Sequence, residues 1–118
     1  IVCGYGRMGQ NVCEEFSRQG LPFVVIDRDP ARLADVQLAH GHTVQGDATD
    51  DAVLREAGIE RARSLVTVVA SDSDNLFVTM SARLLNDRLS IVARAEEATT
   101  PAKLLRAGAT RVISPYLL

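Results

Sequence analysis

Residues 1–9 read Ile1-Val-Cys-Gly4-Tyr5-Gly6-Arg7-Met8-Gly9, a few apolar β-formers running into three glycines at G-x-G-x-x-G spacing. Glycines at these places let a strand turn sharply, let backbone amides approach a phosphate, and let the next helix pack close to the strand. The motif alone is a weak signal, but its surroundings strengthen it. Met8, Val12, Cys13 and Phe16 give the following segment one apolar helical face. Phe23-Val-Val-Ile26 then reads as a second strand ending on Asp27. A Rossmann unit carries its ribose-binding carboxylate at such a strand end, about 20 residues beyond the glycines. The competing reading, a tight strand-to-helix turn without a ligand, accounts for the glycines but not for this conjunction.

Beyond Asp27, Asp29-Pro30 is an N-cap with proline at the first helical position, and Leu33, Val36 and Ala39 face inward before Gly41 stops the helix. His42 to Gln45 is a short third strand, and the loop Gly46-Asp47-Ala48-Thr49 opens a short helix from about Asp51 to Ala57. Ser64 to Ala70 is apolar rather than alternating, as in a parallel strand buried on both faces. A polar loop from Ser71 to Asp74 caps a long helix to about Leu85. Ser90 to Arg94 is the fifth strand, Thr99 or Thr100 with Pro101 starts the last helix, and Arg111 to Ser114 is the sixth strand. Strand and helix alternate throughout. Right-handed crossovers then give an α/β fold, a single doubly wound parallel sheet of Rossmann type, order 3-2-1-4-5-6, with helices on both faces.

The length, 118 residues, suits one nucleotide-binding domain and leaves no room for a separate substrate domain. The chain opens on a strand without an initiator Met, so residues 1–118 are expected to be a domain of a longer protein. A net charge of −2, with 13 Lys and Arg scattered among 15 acids, leaves no electrostatic footprint for nucleic acid. Cys3 and Cys13 lack C-x-x-C spacing and a histidine cluster, which fits reduced packing residues in a cytosolic protein and no metal site. No apolar run approaches the roughly 18 residues of a membrane span.

In an open parallel sheet ligands lie at the carboxyl ends of the strands where strand order reverses. Gly4 to Gly9, Asp27-Arg28, Asp47-Ala48, Ala70 to Asp74 and Arg94 to Glu96 are expected to converge there. The first helix faces a diphosphate with its free amides. Arg7 either adds a contact to that phosphate or is an ordinary exposed arginine. Asp27 accepts the hydroxyls of an adenosine ribose and repels a 2′-phosphate, while Arg28 stacks on adenine or meets a phosphate. Asp47 either accepts from the adenine amino group or caps a helix. A hydride-transfer enzyme also needs a general acid or base near its nicotinamide. His40 and His42 sit at the wrong end of the sheet, Lys103 is on the last helix, and Tyr5 and Tyr116 have no lysine partner. A binding module explains the sequence better than an enzyme, with the cofactor domain of an NAD-dependent oxidoreductase as the alternative. Leu76, Phe77, Val78, Met80, Ala82, Leu84 and Leu85 wrap around more of the helix from about 74 to 85 than one core face requires. It either self-associates or is buried on two sides within the domain.

These residues resemble the nucleotide-binding N-terminal half of the domains that regulate potassium conductance in prokaryotic channels and Trk or Ktr transporters. The resemblance covers essentially the whole chain. It rests on Gly4 to Gly9, Val25-Ile-Asp27, Gly46-Asp-Ala-Thr49, Ser71-Asp-Ser-Asp-Asn75, Ile91-Val-Ala-Arg-Ala95, Leu105-Arg-Ala-Gly-Ala109 and Val112-Ile-Ser-Pro115. It implies a cytoplasmic module that binds NAD(H) or ATP, ADP or AMP, dimerises or joins a larger ring, and acts on a membrane-embedded potassium pore. It further implies phosphate contacts at Gly6, Arg7, Met8 and Gly9, ribose on Asp27, adenine near Arg28, Asp47 and Ala48, and further contacts from Ser71 and Arg94. Where calcium-gated relatives carry acids, this chain has Val68 and Arg94 and retains Glu96, too few hard oxygen ligands for Ca²⁺.

Overall fold

The computed structural model describes residues 1–38 and 41–115. Ala39, His40 and Tyr116 of the sequence reading lie outside the described residues. Strands and helices alternate as β1 (Val2–Cys3), α1 (Arg7–Arg18), β2 (Val24–Asp27), α2 (Pro30–Leu38), β3 (His42–Gln45), α3 (Asp51–Glu56), β4 (Ser64–Thr67), α4 (Asp72–Leu85), β5 (Ser90–Arg94), α5 (Thr100–Ala107) and β6 (Arg111–Ile113). All pairings are parallel and the sheet runs β3-β2-β1-β4-β5-β6, the expected order. The central strand is only two residues long, yet it sets the register on both sides: Val2 stands opposite Val25 and Val66.

Successive residues of a strand point to opposite faces, and β1 shows the consequence. Val2 packs with Val25, Cys13 of α1, and Leu33 and Val36 of α2. Cys3 packs on the other face in a larger cluster that includes Leu54 of α3, Val78 and Ala82 of α4, and Leu104 of α5. Both cysteines are free and buried, and burial pushes their thiols up, Cys3 to about 12 and Cys13 to about 11. No helix among the described residues is long and apolar enough to cross a membrane.

The departures from expectation are local. β4 ends at Thr67 rather than Ala70, because the Asn75 side chain takes the next backbone groups: its Oδ1 accepts from the Val69 amide at 3.1 Å and its Nδ2 donates to the Val69 carbonyl at 3.1 Å. α3 is capped by Asp50, whose carboxylate accepts from the Ala52 amide, so Asp47 is not its cap. α5 starts without a side-chain cap, and the Thr100 hydroxyl donates instead to Asp72 Oδ2 at 2.7 Å. The apolar residues of α4 divide by face. Val78 and Ala82 are buried, whereas Phe77, Met80 and Leu84 are exposed, Leu84 by 86%. Burial on two sides within the domain is therefore ruled out for this helix.

Candidate functional site

Two glycines shape the turn after β1. Gly4 has φ +96°, a conformation L side chains rarely adopt, and its amide donates to the Ile26 carbonyl at 2.9 Å. Gly9 lies where α1 crosses the strand, and a Cβ there would stand 2.0 Å from the Gly4 carbonyl oxygen. Gly6 is different. It is the N-cap of α1 with φ −80°, which any residue adopts, and the nearest atom to a Cβ placed on it is Arg32 Nη1 at 4.0 Å. Nothing in the protein requires glycine at position 6. Open space lies in front of a helix that has no side-chain cap, and the amides of its first turn have no intrahelical acceptor. A phosphate fits this place.

A cleft of ≈ 560 Å³ runs from there along the carboxyl ends of the strands. Its walls bring together Gly4, Gly6, Arg7 and Met8 from the first turn, Asp27 at the end of β2 with Arg28 just after it, Asp47 and Ala48 after β3, and Arg94 from β5. Three other residues named from the sequence contribute without lining it. Gly9 is buried in the helix crossing. Tyr5 gives a backbone amide, which donates to Asp27 Oδ2 at 2.7 Å, while its ring packs against the Val2 cluster. Ser71 is exposed and caps α4, its Oγ accepting from the Asp74 amide at 3.1 Å.

Asp27 is held ready for a ligand. Its other oxygen, Oδ1, accepts from the Asp29 amide at 2.9 Å, so the buried carboxylate is fixed by one backbone N–H on each oxygen. Each oxygen retains acceptor capacity toward the cleft. A pair of ribose hydroxyls matches that donor need, and this end of the cleft therefore fits a ribose on the chemistry of its own groups.

Arg28 does not stand free. Its Nη2 lies 2.6 Å from Asp47 Oδ2, bridging the ends of β2 and β3. The remaining Asp47 oxygen accepts from the Thr49 amide at 2.9 Å and from the Thr49 hydroxyl at 2.7 Å. The Thr49 amide, the Thr49 hydroxyl and Arg28 together hold the Asp47 carboxyl below its ordinary value despite partial burial. Arg94 stands at the opposite end, its Nη2 donating to the Val69 carbonyl at 3.0 Å and lying 3.7 Å from Glu96.

Sequence reasoning gave no individual role to three residues, although Asp72 lies in the Ala70 to Asp74 segment expected here and Asn75 closes a stretch that carries the resemblance. Arg32, on the first turn of α2, lines the cleft and lies 3.7 Å from Asp27 Oδ2. Asn75, fully buried, ties α4 to the cleft floor through Val69, and its Nδ2 also donates to the Arg94 carbonyl at 3.2 Å. Asp72 accepts from the Glu96 and Glu97 amides, both at 2.9 Å, as well as from Thr100. Asn75 was visible as an amide one turn after a helix cap. Arg32 carried no mark in the sequence beyond its charge, and Asp72 none beyond its place in the loop expected to cap the long helix and reach the site.

The chain is 44% identical over its whole length to potassium channel protein 1 of Methanocaldococcus jannaschii, of which it spans 36%. Two solved structures are similar. The GsuK channel bound to NAD superposes with a TM-score of 0.82 at 35% identity, over 98% of this chain and 20% of that one. The Kef CTD of Shewanella denitrificans in its AMP-bound form superposes at 0.85 and 29% identity, over 99% and 70%. Residues 1–115 match the TrkA-N domain, and with that match spanning nearly the whole chain, the protein belongs to the TrkA-N domain family.

Proposed function

We propose that residues 1–118 form a ligand-sensing regulatory domain of a potassium channel or potassium transporter, binding NAD(H) or an adenine nucleotide to control ion flux. The observation that carries the ligand half is the facing of Asp27 and Gly6: a carboxylate positioned by two amides opposite an uncapped helix start. Asp27 takes the ribose hydroxyls, the Arg7, Met8 and Gly9 amides take phosphate, and the Arg28–Asp47 pair borders the base. The relatives named above, a potassium channel and a Kef protein, support the second half.

The domain works without catalysis. The titratable side chains lining the cleft are arginines and aspartates, with no His, Lys or Tyr among the described residues there to serve a hydride transfer. It acts as one domain of a longer chain, at the cytoplasmic face of a membrane-embedded pore. The stripe Phe77, Met80 and Leu84 on α4 is its self-association face, because exposed apolar residues one and two turns apart form a continuous ridge. Asn75 lies at the end of the first turn of the same helix and holds the cleft floor, so a ligand that moves the floor moves the ridge. Mass spectrometry of the nucleotide that copurifies with the domain tests the reading: an adenine nucleotide or NAD(H) is expected, and a ligand without adenosine would contradict it.

A further inference from the structure

Two arginines line the cleft together with Asp27, and their freedom differs. Arg28 is locked at 2.6 Å on Asp47, whose pairing it would break by turning elsewhere. Arg32 is held by nothing comparable. Its Nη1 lies 3.7 Å from Asp27 Oδ2 and its Nε lies 4.0 Å from Asp29 Oδ2, both beyond hydrogen-bond distance, and 53% of its side chain is exposed. The same Nη1 is the atom nearest to the open space in front of Gly6, 4.0 Å from an added Cβ. Arg32 thus overhangs the gap between the carboxylate and the first turn of α1. On the nucleotide reading above, on which this step rests, that gap holds the ribose, and a substituent on the 2′-oxygen emerges beside Asp27.

We infer that Arg32, rather than Arg28, determines how the cleft treats a phosphate on the 2′-oxygen of an adenosine ribose. Such a phosphate carries close to two negative charges and is repelled by Asp27. A loosely held guanidinium at this position breaks no hydrogen bond when it turns toward the phosphate, and its planar fork matches two phosphate oxygens. Arg32 therefore offsets part of the repulsion. The cleft still prefers an unsubstituted ribose, by a smaller margin than the carboxylate alone would give. Arg28 serves both ligand types alike, because it acts on the base side through Asp47.

The test compares AMP with adenosine 2′,5′-bisphosphate, which differ only in the 2′-phosphate, by calorimetric titration into the wild type, Arg32→Ala and Arg28→Ala. Arg32→Ala is expected to widen the preference for AMP by about five- to tenfold, as befits loss of one part-exposed charge-assisted contact. Arg28→Ala is expected to weaken both ligands in parallel and leave their ratio in place. Arg32 is exposed, so thermal unfolding without ligand should match the wild type and exclude a folding effect. Arg32→Lys should recover only part of the wild-type ratio, keeping the charge but not the fork. An unchanged ratio in Arg32→Ala, or a widened one in Arg28→Ala, overturns the assignment to Arg32 while leaving the nucleotide reading intact. Failure of AMP to bind the wild type contradicts the nucleotide reading itself, and this assignment with it.

Discussion

Asp72 and Thr100 are joined by a 2.7 Å hydrogen bond that ties the first turn of α4 to the first turn of α5. Asp72 also takes the Glu96 and Glu97 amides, so one carboxylate fastens the loop after β5 to the helix that carries the exposed apolar ridge. Burial pushes the Asp72 carboxyl up, but the Thr100, Glu97 and Glu96 bonds, with Arg94 nearby, outweigh it and hold the group below its ordinary 3.8.

That shift has a sign. Because the folded-state value lies below the unfolded one, the stability Asp72 contributes is complete above about pH 5, begins to fall away below the unfolded 3.8 and is lost as the pH falls through the lower folded-state value. Asp72→Asn should destabilise the domain at neutral pH by about 1–2 kcal/mol, discounted for partial exposure. Its difference from the wild type should shrink at about pH 3. Urea unfolding at the two pH values checks this, and an equal gap at both would show that the charge is not what matters.

Gly6 and Gly9 should respond oppositely to a methyl group. A Cβ on Gly9 meets the Gly4 carbonyl oxygen at 2.0 Å, so Gly9→Ala forces α1 off the strand and should cost about 2–4 kcal/mol of stability. Gly6→Ala meets no protein atom closer than 4.0 Å and should leave the melting temperature of the unliganded domain nearly unchanged. The stabilisation conferred by added NAD or AMP should nevertheless fall sharply. Thermal shift with and without nucleotide separates the two effects; parallel losses in both variants would mean that the space before Gly6 is not a ligand site.

The α4 ridge makes a prediction about assembly. Leu84 is 86% exposed, so Leu84→Asp should not disturb the fold but should place a charge in any interface built on Phe77 and Met80. Sedimentation analysis should find a wild-type dimer or larger ring and a dissociated, folded variant. Equal sedimentation of the two would move self-association to another face.

How much of this was legible beforehand depended on whether the signal was local. The glycine spacing, the Asp27 position and the alternation of apolar runs with helical faces are properties of neighbouring residues, and they yield the sheet order because crossover handedness leaves little choice. The end of β4 was not legible, since Val68 and Val69 are as apolar as the strand and only Asn75, folded back from α4, stops the ladder. Asp47 was read as either an adenine contact or a helix cap, and the structure gives the cap of α3 to Asp50 instead. Arg28 drew notice by standing beside Asp27. Arg32 reaches the same carboxylate from a helical turn later, a relation that exists only once α2 has folded against β2.

Asp27 as the holder of an adenosine ribose is tested by calorimetric titration of NAD, NADP and AMP into the wild type and Asp27→Ala. The wild type should bind NAD and AMP and bind NADP more weakly, since a 2′-phosphate brings like charge onto the carboxylate. Asp27→Ala should weaken NAD and AMP, because it deletes charge-assisted hydrogen bonds worth about 1.5–3 kcal/mol each. It should also narrow the gap to NADP. Equal affinities for NAD and NADP in the wild type, or undiminished NAD binding by the Asp27 variant, would place the ribose elsewhere and contradict the account.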